Sequence, residues 1–181
     1  MVYVFLADGF EELEALTPVD VLRRAGIDTK TVGVTGKTVT GSHGIAVNCD
    51  IEVNDAEYNN LDAVILPGGL PGADFLDKSS RVHEFLNFAE EKGIIIAAIC
   101  AAPAILGRRG TLEGKKAVCF TGFEKELKGA TVVSEKAVRD GNIITACGAG
   151  AAFEFAFLIL NALTGDDQSG DKMSRAMKYT I

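Results

Sequence analysis

The chain of 181 residues lacks the residue patterns that mark a metal or disulfide scaffold. Its four cysteines, Cys49, Cys100, Cys119 and Cys147, form no C-x-x-C pair, and its two histidines, His43 and His83, lie far from any cysteine cluster. That spacing argues against a structural zinc site. The chain opens on Val2-Tyr3-Val4-Phe5-Leu6, which reads as a core strand rather than a signal sequence, so none is expected. Four unpaired cysteines in that context imply a reducing cytoplasm. No apolar run is long enough to span a membrane, so no membrane partner is expected. Positive charge is in deficit, with 18 Lys and Arg against 25 Asp and Glu, a net charge of -7 and a pI near 4.9. Such a balance speaks against direct nucleic-acid binding. Repeats at a solenoid period, low-complexity stretches and a G-x-x-x-x-G-K-[ST] phosphate loop are all missing. Gly148-Ala149-Gly150 lacks the rest of a dinucleotide site and reads as a tight turn, so no cofactor is expected.

What the chain does have is apolar periodicity, with 48% hydrophobic residues. Strand-like runs recur at Val2–Ala7, Thr29–Val34, Ala63–Leu66, Ile94–Ile99, Ala117–Phe120 and Ile143–Cys147. Helical patterns at Glu11–Ala25, Ser80–Glu91, Ala102–Arg108 and Ala151–Leu163 separate several of them. This alternation predicts an α/β fold, a mostly parallel sheet with helices on both faces. Thr38–Cys49, punctuated by Gly41 and Gly44, reads as a β-hairpin, and weaker strands are expected at Thr131–Val133 and Ala137–Val138. Gly165–Asp171 reads as a loop before a short amphipathic helix. No domain boundary interrupts residues 1–181, so one soluble intracellular domain is predicted.

In an open α/β sheet, ligands bind beyond the carboxyl ends of the strands. Three such ends carry unusual chemistry: Ala7-Asp8-Gly9-Phe10-Glu11-Glu12-Leu13-Glu14, Pro67-Gly68-Gly69-Leu70-Pro71-Gly72, and Cys100. Cys100 sits between the β-branched run Gly93–Ile99 and a helix start with Pro103 near its first turn. Free N–H groups and the positive end of the helix dipole there favour a thiolate. The competing reading is a small buried hydrophobe, which is how Cys49, Cys119 and Cys147 read.

On the first helix, Glu11 and Glu14 fall inside the apolar stripe of Ala15, Pro18, Val21, Leu22 and Ala25, while Glu12 lies toward its edge. A core-facing carboxylate must be hydrogen-bonded, protonated or functional, and periodicity leaves Glu11 and Glu14 as alternatives. Pro18 predicts a kink or a restart of this helix. Gly68-Gly69 reads either as a tight turn or as backbone brought close to a substrate oxygen, with the Ala101 N–H completing an oxyanion hole. His43, in the Gly41–Gly44 turn, is a candidate substrate-binding residue, whereas His83 reads as a solvated surface histidine.

Taken in order, these motifs resemble the ThiJ/PfpI superfamily, most closely its YajL-like bacterial branch with the human Parkinson-disease relative. The resemblance rests on Asp8–Glu14, Pro18–Gly26, Leu66–Gly69, Ala97–Pro103 and Phe153–Ala156, and it covers nearly the whole chain. It implies a flavodoxin-like three-layer sandwich, a homodimer with the first helix and Arg23 or Arg24 at its interface, and cofactor-free chemistry at a cysteine. Cys100 matches the reactive cysteine, Glu14 the protonated glutamate that hydrogen-bonds it, and Gly69 and Ala101 the backbone amides of the site. Glyoxalase or deglycase action on reactive carbonyls follows as the implied activity, with a cysteine-based stress sensor or chaperone-like binding protein as the alternative. Two departures matter. Protease-like members carry a histidine directly after the cysteine, where this chain has Ala101, so peptidase action lacks its base. His43 stands where several relatives use an anion-binding arginine, and Phe120 stands where the human relative has a histidine.

Overall fold

The computed structural model describes residues 1–179; the last two residues of the predicted domain, 180 and 181, lie outside the described residues. The chain runs β1 (Val2–Leu6), α1 (Glu12–Arg24), β2 (Thr29–Gly33), β3 (Thr38–Thr40), β4 (Ala46–Asn48), β5 (Ile51–Glu52) and β6 (Ala63–Leu66). It continues α2 (Gly72–Lys78), α3 (Ser80–Lys92), β7 (Ile95–Ile99), α4 (Pro103–Arg109), β8 (Lys116–Ala117) and β9 (Thr131–Val132). It ends β10 (Ala137–Asp140), β11 (Ile143–Ala146), α5 (Ala152–Thr164) and α6 (Ser169–Ala176). Among these, no helix is long and apolar enough to cross a membrane.

Seven strands form one sheet in the order β10-β11-β7-β6-β1-β2-β5. All neighbours are parallel except β10 and β11. The reason lies in the strands themselves. Every residue of β1 is buried: Tyr3 and Phe5 enter the core on one face of the sheet, and Val2, Val4 and Leu6 enter the core on the other. A strand buried on both sides needs helices over both sides, and the crossover helices of a parallel sheet supply them. Helices α1 and α5 cover one face with Val21, Leu22, Phe155 and Ile159, while α3 covers the other with Val82, Phe85 and Leu86. This is the predicted α/β sandwich.

Several expectations are corrected. Ala117–Phe120 does not join the main sheet; only Lys116–Ala117 is a strand, and it pairs with β9 in a separate two-stranded sheet. Only three buried residues, Ala117, Val118 and Cys119, precede the 50% exposed Phe120, too short a run for a strand buried on both faces. Helix α1 runs unbroken through Pro18, without a restart at Thr17. Helix α2 and strand β5 are too short to leave a periodic signature. His83 is not freely solvated, since its ring nitrogens meet the Asp77 carbonyl at 2.6 Å and Arg109 at 2.7 Å.

The strand order places the chemistry. From β1 the chain passes to β2 on one side, and later to β6 and β7 on the other. The crevice at this reversal lies beyond the ends of β1, β6 and β7, the three ends that carry Glu14, Gly68-Gly69 and Cys100. Strand β11, the neighbour of β7, brings a fourth end to the same edge, with Gly148 beyond it.

Candidate active site

Cys100 occupies the elbow between β7 and α4, with φ at +64°. A left-handed conformation is unfavourable for any residue with a Cβ, by roughly 1–3 kcal/mol, and it persists only where the surroundings enforce it. Here they do: the Cys100 N–H donates to the Ala146 carbonyl at 2.9 Å, and its own carbonyl accepts from the Phe120 N–H at 2.8 Å. The elbow turns the thiol out of the sheet, leaving Cys100 half-buried while Cys49 and Cys119 are buried.

Glu14 comes to this thiol from the first turn of α1, only 1% exposed. Its Oε2 accepts the Gly68 N–H at 2.9 Å, and its carboxyl group is hydrogen-bonded to the Cys100 side chain. Burial raises its pKa to about 7, with the nearby Glu11 charge adding to the effect; the Cys100 and Gly68 hydrogen bonds oppose it. Burial also pushes the Cys100 thiol up, to about 12, and Glu14 acting as a carboxylate contributes further. The Gly69 and Ala101 N–H groups pull the other way. The thiolate expected from the helix N-terminus alone is therefore suppressed while Glu14 is ionised. The thiol and the carboxyl are hydrogen-bonded to each other; above about pH 7 the proton that remains rests on sulfur, and a sulfur anion requires that proton to move to Glu14.

The glycines have separate tasks. Gly69 has φ at +84° and aims its N–H at the sulfur, as Ala101 does from the start of the next turn. Gly68 is no free substrate donor, because its N–H is committed to Glu14. Its missing side chain is what matters: a Cβ there would stand 2.7 Å from both Glu14 Oε2 and the Cys100 Cβ. Thus Cys100, Glu14, Gly68, Gly69 and Ala101 meet in one place.

His43 meets different partners. Its Nδ1 lies 2.7 Å from Glu12 Oε2 and 3.5 Å from Glu11 Oε2, and its backbone N–H donates to Glu12 Oε1 at 2.8 Å. These contacts raise the His43 pKa, first through the Glu12 hydrogen bond. Burial alone would raise Glu12, but hydrogen bonds from His43 and from backbone N–H groups bring it down to about 2. A histidine faced by two carboxylates does not replace an anion-binding arginine. The helix pattern also misplaced Glu12: it is the buried member of the Glu11–Glu12 pair, because the β3–β4 hairpin folds over it and Gly41 packs against its carboxylate. Glu11, Glu12 and His43 bring three potential ligand atoms within 4.8 Å of one another. The close His43–Glu12 pair accounts for that geometry as an ion pair.

Sequence reasoning read Gly148 only as part of a tight turn, and it noted Phe120 only through the resemblance, without giving either a role in the site. A Cβ on Gly148 would lie 3.2 Å from the Phe120 ring and 3.9 Å from Glu14 Oε1. The signal was a glycine directly beyond a buried strand, as at Gly68. A cavity of about 380 Å³ opens nearby, lined by Cys119, Lys136 and Cys147, but neither Cys100 nor Glu14 lines it.

Residues 1–162 match the DJ-1/PfpI family. The chain belongs to the DJ-1/PfpI family. It is 40% identical to the Parkinson disease protein 7 homolog of Danio rerio over 167 residues, covering 90% of this chain and 88% of the relative. It is 38% identical to the protein dj-1beta of Drosophila melanogaster over 168 residues, covering 91% and 90% of the two. The solved structure of oxidized DJ-1 from Toxoplasma gondii superposes with a TM-score of 0.94 at 31% identity, covering 99% of this chain and 98% of the other. In this DJ-1/PfpI chain, Ala101 follows the cysteine and Phe120 lies beside it, so no imidazole neighbours the thiol in sequence or donates to it among the described residues.

Proposed function

We propose that the chain is a cofactor-independent enzyme acting on reactive carbonyls by glyoxalase or deglycase chemistry, on methylglyoxal, glyoxal or their early adducts. One observation carries this reading: a thiol and a buried carboxyl are hydrogen-bonded to each other under two backbone N–H groups. With the proton on Glu14, the Cys100 sulfur adds to the aldehyde carbon and the carbonyl π pair moves to oxygen. The Gly69 and Ala101 N–H groups hold that oxyanion, which takes the Glu14 proton to give a hemithioacetal. Glu14, now a carboxylate, removes the proton from the carbon bearing sulfur and returns one to the neighbouring carbon, while the hydroxyl proton passes from the first oxygen to the second. Water hydrolyses the resulting thioester to a 2-hydroxy acid and restores the thiol. The sequence is redox-neutral and uses no cofactor. The test is glutathione-free conversion of methylglyoxal to lactate: turnover in the wild type and none in Cys100→Ser supports the reading, and equal rates in both defeat it.

A cysteine-based oxidative sensor is the second reading, favoured by the partial exposure of Cys100 together with its Glu14 hydrogen bond; Cys147, read from the sequence as buried packing, is half-buried too, while Cys49 and Cys119 are buried. The Glu14 proton would also hydrogen-bond a sulfinate and slow further oxidation. Intact mass after mild peroxide decides it, since modification confined to Cys100 is required. We also infer a homodimer and a reducing, cytoplasmic setting. Leu13 on α1 and Ile45 on the β3–β4 hairpin are large apolar side chains left 59% and 54% exposed. Arg23 and Arg24 are already paired within the chain, with Asp50 and Asp20, so the apolar residues are the better interface candidates.

A further inference from the structure

We propose that Phe120 is a specificity wall of this site, favouring α-oxoaldehydes that carry an aryl or similarly flat apolar group over methylglyoxal. The inference rests on the carbonyl reading above and deepens it.

Phe120 is fixed to the nucleophile. Its N–H donates to the Cys100 carbonyl at 2.8 Å, so residue 120 cannot move without the elbow. Its neighbours Val118 and Cys119 are buried, yet the ring itself stands 50% exposed. Leu13, Ile45 and Leu70 are as exposed as Phe120, so what sets Phe120 apart is the backbone hydrogen bond that ties it to Cys100. The ring packs along one side over Gly148, and a methyl group there would lie 3.2 Å from Phe120 Cδ2. The same point is 3.9 Å from Glu14 Oε1. A group placed over Gly148 would therefore lie between the Phe120 ring and Glu14 Oε1, while Oε2 is held by the Gly68 N–H. An aldehyde bound with its oxygen at the Gly69 and Ala101 amides and its C–H toward Glu14 has one substituent left. That substituent leads outward past the Phe120 ring, which offers an apolar, polarisable face and no hydrogen bond. An aryl group gains offset stacking there and a methyl group gains little. A polar sugar or peptide substituent gains nothing from it.

The experiment measures kcat/KM for phenylglyoxal and methylglyoxal in the wild type, Phe120→Leu and Phe120→Tyr. Alongside it, Cys100 is alkylated with 2-bromoacetophenone or bromoacetone, each rate divided by that of free glutathione. In that reaction the C–S bond forms as the C–Br bond breaks and bromide leaves with the electron pair. The aryl-to-methyl ratio is expected to fall roughly three- to tenfold in Phe120→Leu in both assays and to persist in Phe120→Tyr. Leu keeps apolar bulk at a half-exposed position, so loss of fold does not confound the comparison. A ratio unchanged by Phe120→Leu in the alkylation assay overturns the proposal. If neither aldehyde is turned over but the alkylation ratio still falls, the carbonyl enzyme is refuted while the aromatic wall stands.

Discussion

The Gly68 N–H donates to Glu14 Oε2 at 2.9 Å, and the space where a Gly68 side chain would be is taken by that same oxygen and by the Cys100 Cβ. One glycine therefore orients the acid and lets the thiol reach it.

Gly68→Ala inserts a methyl group 2.7 Å from both, closer than real side-chain carbons approach. The chain should be destabilised by roughly 1–3 kcal/mol, and the Glu14–Cys100 contact should open. Thermal denaturation and Cys100 alkylation rates check this together. A variant with wild-type values in both would mean that the pair is looser than its geometry.

Glu14→Gln removes the acid proton while keeping the shape. Turnover of methylglyoxal should fall roughly a hundred- to ten-thousand-fold. Steady-state kinetics on the variant test this, and an unchanged rate rules out proton transfer by Glu14.

Glu14 also sets a pH signature. Its folded pKa is raised from 4.5 to about 7, so the folded chain keeps a proton that the unfolded chain has lost. The stabilising contribution is complete below pH 4.5 and declines as pH rises to about 7, by about 3 kcal/mol in all. Over the upper part of that window, the rate should rise as the doubly protonated pair gives way to the one-proton pair, with an inflection near pH 7. Chemical denaturation and alkylation between pH 4.5 and 8 read both trends, and Glu14→Gln should flatten both.

His43→Ala leaves the Glu12 carboxylate without its imidazole, though not without its backbone N–H partner. Because the folded-state pKa of His43 is raised above 6.5, its stabilising charge is fully present below pH 6.5 and is lost as pH rises through the higher value. The melting temperature of the variant should be lower than wild type at pH 6, and the gap should close in alkaline buffer. A gap that grows with pH would reverse the assignment.

Leu13→Asp places a charge on the exposed apolar spot of α1. If Leu13 lies in a dimer interface, light scattering should show a dimer for the wild type and a monomer for the variant. A monomeric wild type at micromolar concentration removes the interface altogether.

Much of this was legible in the order of residues. Buried strands such as Val2–Leu6 announce themselves because burial on both faces demands unbroken apolar runs, and Cys100 was marked by its place between such a run and a helix start. The motif Asp8–Glu14 also pointed to an acid, but periodicity alone could not choose between Glu11 and Glu14. It ranked Glu12 below both because it registers only a helix's own angular pattern. Whether a carboxylate is buried depends on what folds over it, and for Glu12 that is a hairpin about thirty residues away, tied on by the His43 backbone N–H.

The sequence by itself determined the sheet, the helices on both of its faces and the position of the candidate nucleophile, since each follows from local hydrophobic pattern and chain order. The tertiary structure alone decided the protonation of the site and its walls. A pKa depends on distance and burial, and Gly68, Glu14, Cys100 and Phe120 acquire those only when four strand ends close on one crevice. For that reason the chain reads as a helix-activated thiolate in one dimension and as a thiol hydrogen-bonded to a buried acid in three.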